Sequence, residues 1–96
     1  MSRFQATFIK DPDAVKDYEI DWSDWLQDEE VISTSAWAIV EATPALVIDS
    51  SQTSSFASTV WLSAGTDGEN YMVTNHILTD QGREDDRTIR VLVREQ

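Results

Sequence analysis

Six carboxylates and three large aromatics crowd one short stretch, KDPDAVKDYEIDWSDWL, from Lys10 to Leu26. Asp17, Glu19 and Asp21 stand two residues apart. On a strand they would share a face with side chains about 7 Å apart, a spacing compatible with the paired acids of a glycosidase. Asp24, Asp28, Glu29 and Glu30 fall in one expected loop, and Glu84, Asp85 and Asp86 in another. If the two loops met at one end of the molecule they could offer oxygens to a weak Ca²⁺ site, although neither follows the Asp-x-Asp-x-Asp-Gly pattern. His76 is the only histidine, and no Gly-x-Ser-x-Gly elbow accompanies it.

Each of these has a plainer reading. Acids alternating along one face of a strand keep that face wet and free of aggregation. A chain of 96 residues has little to spare for a sugar-sized cleft. The acidic loops read as solvated, with Arg83 and Arg87 partly balancing the second, and His76 reads as a surface strand residue. No catalytic residue, cofactor or metal is therefore expected.

The elements that would carry these groups follow from periodicity. Tyr18, Ile20 and Trp22 alternate with Glu19, Asp21 and Ser23, the pattern of a strand with a buried and an acidic face. VISTSAWAIV (Val31 to Val40) is β-branched and aromatic and stops before Pro44. Leu46 to Ile48 is a short apolar run, and DSSQTSS (Asp49 to Ser55) reads as a turn. Phe56, Ser58, Val60 and Leu62 form one face of a strand, with Trp61 on the other. GTDG (Gly65 to Gly68) and DQGRED (Asp80 to Asp85) are turns around a strand containing Tyr71, Val73, Asn75 and Ile77. Ile89, Val91 and Val93 alternate with Arg90, Leu92 and Arg94 in a last strand, basic on its outer face. One helical turn is expected near Ser23 to Gln27. About seven short strands at this spacing predict an all-β sandwich. Trp22 and Trp37 belong to its inner face. Residues 15–96 form the sandwich, and residues 1–14 an extended N-terminal arm or edge strand, from the Phe4/Ala6/Phe8 alternation before Asp11-Pro12-Asp13.

Charge narrows the partners. There are 18 acids against 7 bases, net −11, which disfavours nucleic acid and anionic membrane surfaces and leaves room for a basic partner. No run of about 18 apolar residues suggests a span, and the N-terminal residues lack a signal-peptide pattern. With no Cys, disulfides and thiolate metal sites are excluded.

Taken together, Asp11-Pro12-Asp13, Tyr18 to Ser23, Trp37, Val60 to Gly65, Tyr71 to Asn75 and Thr79 to Arg87 resemble a family of small tailed-bacteriophage proteins described as fiber–tail adaptors or related virion structural proteins. The resemblance runs from Asp11 to Glu95 and departs between Glu41 and Ser54. It implies an immunoglobulin-like antiparallel β-sandwich and a non-enzymatic role in the tail region of a virion assembled in the host cytoplasm. It implies tail or fiber proteins as partners and carries over no catalytic or ligand residue. The expected contact residues are Phe4, Phe8, Ile9, Trp25, Leu26 and Trp61, in several copies within a symmetric assembly. A head–tail neck or decoration protein is the alternative within the same particle. A carbohydrate-binding module stacking sugars on Trp25 and Trp61 is the alternative outside it.

Overall fold

The computed structural model describes residues 4–40 and 46–95, with backbone alone for Phe4 and Gln5. Its strands are β1 (Phe4–Lys10), β2 (Lys16–Asp21), β3 (Ile32–Ile39), β4 (Leu46–Thr53), β5 (Ala57–Ala64), β6 (Asn70–Thr79) and β7 (Glu84–Val93). They form two sheets, β1-β7-β6-β3 and β2-β5-β4. The orders β7-β6-β3 and β2-β5-β4 are those of an immunoglobulin-like sandwich. No helix among the described residues is long and apolar enough to cross a membrane.

Alternation decides what is buried. Tyr18 and Ile20 of β2, Val60 and Leu62 of β5, Tyr71, Val73 and Ile77 of β6, and Ile89, Val91 and Val93 of β7 point inward. Each large apolar side chain so buried contributes about 1.5–3 kcal/mol. Trp22, just past the end of β2, is fully buried with them.

Several expectations are corrected. Of the two readings of the N-terminal residues, arm or edge strand, residues 4–10 take the second: they are an edge strand of the same chain, paired in parallel with β7 (Phe8 opposite Val91), and the extended arm is not seen. The sandwich is therefore antiparallel except at this pair. The cause is the Ala6/Phe8/Lys10 alternation, which gives β1 its own inward face; Phe8 lies against Tyr18 with ring centroids 4.6 Å apart. Lys10 ends the strand fully buried, its Nζ donating to Ala64 O (2.6 Å) and Asp11 O (2.9 Å). Asp11 Oδ1 then accepts from Asp13 N–H at 2.8 Å and turns the chain. DSSQTSS is mostly strand, because β4 runs to Thr53 against β5 as an edge whose outward residues can be polar. Glu84, Asp85 and Asp86 open β7 instead of lying in a loop. Phe56 precedes β5 and is 52% exposed, outside the inner face assigned to it.

Many immunoglobulin domains pin their two sheets together with a disulfide between the second and sixth core strands. This chain has no Cys and uses hydrogen bonds at that place. Trp22 Nε1 donates to Asn75 Oδ1 (2.9 Å). Asn75 Nδ2 donates to Ser35 Oγ (2.7 Å) and Ala36 O (3.1 Å). Ser35 Oγ meets Ser58 Oγ at 2.7 Å, and Ser58 Oγ accepts from Trp37 Nε1 at 2.8 Å. The network spans both sheets. At the other end, Thr66 N–H donates to Tyr71 Oη (3.0 Å) across the turn into β6, a link placed like the tyrosine corner of such sandwiches. Gly65 in that turn has φ +99°, and a Cβ there would sit 2.9 Å from a Val93 methyl, so no larger residue fits.

Tyr18 is the exception in this core. Its ring is 7% exposed, and its hydroxyl has no hydrogen-bond partner among the described residues. Loss of solvation, with the nearby Asp17 charge, raises its pKa. An orphaned buried hydroxyl costs free energy that a phenyl ring does not. Tyr18→Phe is therefore expected to leave stability unchanged or raise it by up to about 1 kcal/mol, read as the urea midpoint. A loss larger than that would show that the hydroxyl is bonded.

Candidate interaction surfaces

The loop after β2 closes one end of the sandwich around a densely bonded polar cluster. Glu30 is fully buried. Arg83 grips it with two bonds, Nε to Oε2 at 2.9 Å and an Nη to Oε1 at 2.8 Å. Thr79 Oγ1 donates to Oε2 (2.6 Å) and Gln27 N–H to Oε1 (2.9 Å). These bonds, Arg83 first and against the effect of burial, hold the Glu30 carboxyl down to about 2. The same guanidinium donates to Trp25 O (3.0 Å) and lies 4.0 Å from the centre of the Trp25 ring. Trp25 meets Trp22 edge-on at 5.5 Å. Arg87 lies 4.3 Å from the centre of the Trp22 ring and holds Asp24 and Asp21 O. Arginine over tryptophan is favourable as both cation–π contact and stacking.

This arrangement corrects the reading of the 24–30 loop. Glu30 is no solvated acid, and both its oxygens are occupied, so it cannot be offered to a cation. Asp24 turns to Arg87, while Glu84 and Asp86 flank His76 on another face. Among the described residues no three acids or histidines converge as a metal site would require.

A different surface lies on the outer face of β2-β5-β4. Asp17 pairs with Trp61, Glu19 with Thr59 and Asp21 with Ala57, and Trp61 faces Ser50 across the other side. Trp61 is thus a partly exposed aromatic at the middle of an open sheet face, with three carboxylates on the strand beside it. A shallow groove of about 330 Å³ lies on the strands of this sheet, lined by Glu19, Gln52, Thr53, Ser54, Ala57 and Thr59 and not by Trp61. Asp17 and Glu19 are exposed, so their charge acts through solvent and orients a partner more than it binds one.

The opposite outer face, on β1-β7-β6-β3, is chemically distinct. Ile9 (54% exposed) lies opposite Leu92, and Met72 opposite Arg90. Val40 donates its N–H to Met72 O and is also exposed. Farther along, His76 stands between Asp86 at Nδ1 and Glu84 at Nε2. Hydrogen bonds to these two carboxylates, Asp86 foremost, raise its pKa.

The six residues expected as contacts are thus dispersed over the molecule. Trp61 and Ile9 lie on opposite outer faces. Phe8 faces the core, and Trp25 and Leu26 pack against it at the loop end. The Phe4 side chain lies outside the described residues. The Glu30–Arg83 clamp and the Asn75 pin escaped sequence reading. The available signal was weak: an acid beside Val31 at the start of a strand, and an Asn in phase with Tyr71, Val73 and Ile77.

A family model described as podophage GP4 fiber-tail adaptor protein gp77 matches residues 10–92. No curated protein matches the chain. Among solved structures, the solution structure of the PKD domain from KIAA 1837 protein is similar, with a TM-score of 0.59 and 17% identity over 97% of this chain and 82% of that one. A 2,6-sialyltransferase of a Vibrionaceae Photobacterium also contains a similar fold, with a TM-score of 0.56 and 14% identity over 97% of this chain and 17% of that one. At such identities the likeness is one of fold alone.

Proposed function

Because the chain belongs to the podophage GP4 fiber-tail adaptor gp77 family, we propose that it is a non-enzymatic structural protein that joins a phage tail to its fibers and contacts one of them through Trp61. The observation that carries the contact is Trp61 itself, a partly exposed indole at the centre of a sheet face with Asp17, Glu19 and Asp21 on the neighbouring strand. Central aromatics dominate interface energies, and surrounding charges select and steer the partner. A face of this kind suits a basic surface on a tail or fiber protein. Assembly in the host cytoplasm and repeated copies at the joint complete the reading, since modest contacts gain strength when repeated.

The test is binding of the full chain to the fiber and tail proteins encoded by the same phage. Trp61→Ala is expected to weaken one of those complexes by roughly 30-fold or more. Asp17→Lys with Glu19→Lys is expected to slow its formation and reduce its dependence on salt. Unchanged affinity for Trp61→Ala would remove this face from the joint.

The carbohydrate-binding alternative has one feature in its favour, a polar groove on the same sheet as Trp61, although Trp61 does not line it. It loses its second stacking platform, because Arg83 covers Trp25. Glycan binding by the wild-type chain, abolished by Trp61→Ala while fiber and tail proteins fail to bind, would favour it over the adaptor role.

A further inference from the structure

The two flanks of the sandwich differ in charge. On one flank the edge strands β1 and β2 carry Lys10, Lys16, Asp17, Glu19 and Asp21. On the other flank β3 and β4 lie side by side. From Val31 to Val40 there is no charged residue and no proline, in a chain with 18 acids and 7 bases. β4 carries Asp49 alone. Exposed edges are normally guarded by charge, proline or a bulge. At its start β3 has a bulge, between Ile32 and Thr34, and Ile32 N–H donates to Ser55 O at 2.9 Å; from Thr34 to Ile39 no described strand covers its edge.

The backbone of β3 is directed as well as unguarded. Val40 N–H donates to Met72 O at 2.8 Å. In an antiparallel ladder the polar groups of alternate residues point to the same side. Those of Thr34, Ala36 and Ala38 therefore face β6, and those of Ser35, Trp37 and Ile39 face the open edge. No described strand pairs with that edge.

We propose that the open edge of β3 joins two copies of this chain, paired antiparallel about a two-fold axis at Ala36. Two chains of net charge −11 repel each other over most of their surfaces. A ten-residue strip without charge is where they can meet, and an isologous contact needs only that one strip. The axis places Ser35 opposite Trp37 of the second copy, so the outward-facing backbone groups pair with each other. It places Ala36 opposite its own copy and Thr34 opposite Ala38. These three are exposed and small, so the outer face closes without a clash. The two four-stranded sheets then become one continuous sheet. A strand from another protein is the competing occupant, and it leaves the isolated chain monomeric. The inference does not use the adaptor reading, because Trp61 lies on the other sheet and either can fail alone.

Sedimentation of the full chain over a concentration series tests it. The wild type is expected to move from the 10.9 kDa chain mass to twice that value. Thr34→Glu with Ala38→Glu sets like charges opposite each other on both sides of the axis and is expected to abolish the dimer. Thr34→Glu with Ala38→Lys sets Glu opposite Lys at the same two places and is expected to restore it. The Glu/Lys pair also serves as the control for folding. A wild type that stays at monomer mass throughout, or a Glu/Glu variant that still dimerises, overturns the proposal. A folded Glu/Lys variant that fails to dimerise overturns the two-fold register.

Discussion

Arg83→Ala is expected to lower the melting temperature by roughly 15 °C or more. The variant leaves Glu30 fully buried with both bonds from its charged partner gone, and it uncovers one face of Trp25. A buried ion pair adds little over an apolar pair, but removing one member strands a charge. Glu30→Met with Arg83→Met is therefore expected to recover much of the loss, which Arg83→Ala alone cannot. The effect depends on pH with a definite sign. The folded carboxyl is held at about 2, below its ordinary 4.5. Its contribution is fully present above pH 4.5 and is lost as pH falls from there toward 2. The gap between wild type and Arg83→Ala should be widest above pH 4.5 and narrow toward pH 2, as read by thermal unfolding across that range. A variant melting within about 3 °C of wild type at neutral pH would mean that Glu30 is reached by water after all.

Asn75→Ala is the second large effect, expected to cost about 2–4 kcal/mol. It removes the acceptor of Trp22 Nε1 and the donor to Ser35 Oγ and Ala36 O, and it leaves a void between the sheets. The urea midpoint should fall with an unchanged slope, since the surface exposed on unfolding hardly changes. Ser58→Ala, which frees only Trp37 Nε1 and Ser35 Oγ, should cost less. If both variants cost the same small amount, the network is not what holds the two sheets in register. The comparison also asks whether a side-chain amide can stand where a related sandwich places a disulfide.

Much of the frame was readable beforehand because a strand writes its two environments into every second residue. Tyr18/Ile20/Trp22 and Tyr71/Val73/Asn75/Ile77 gave phase, face and burial together. DSSQTSS was misread because an edge strand has one open side and tolerates the composition of a turn. Glu84 to Asp86 was misread as loop because two of its acids, Glu84 and Asp86, meet His76 across the ladder, a partner eight to ten residues away.

The sequence alone determined the all-β class, the inward-facing Tyr18, Trp22 and Tyr71 and the acidic outer row of β2, because these depend on local alternation and on total charge. The tertiary structure alone decided that residues 4–10 belong to the chain's own sheet, that Glu30 is buried, and that Trp25 is covered while Trp61 stays partly open. The first three rest on partners distant in the chain: Val91 for Phe8, and Arg83 for Glu30 and Trp25. Alternation gives the side of a strand on which a residue lies; only the packing of the second sheet and the closing loops sets what waits there.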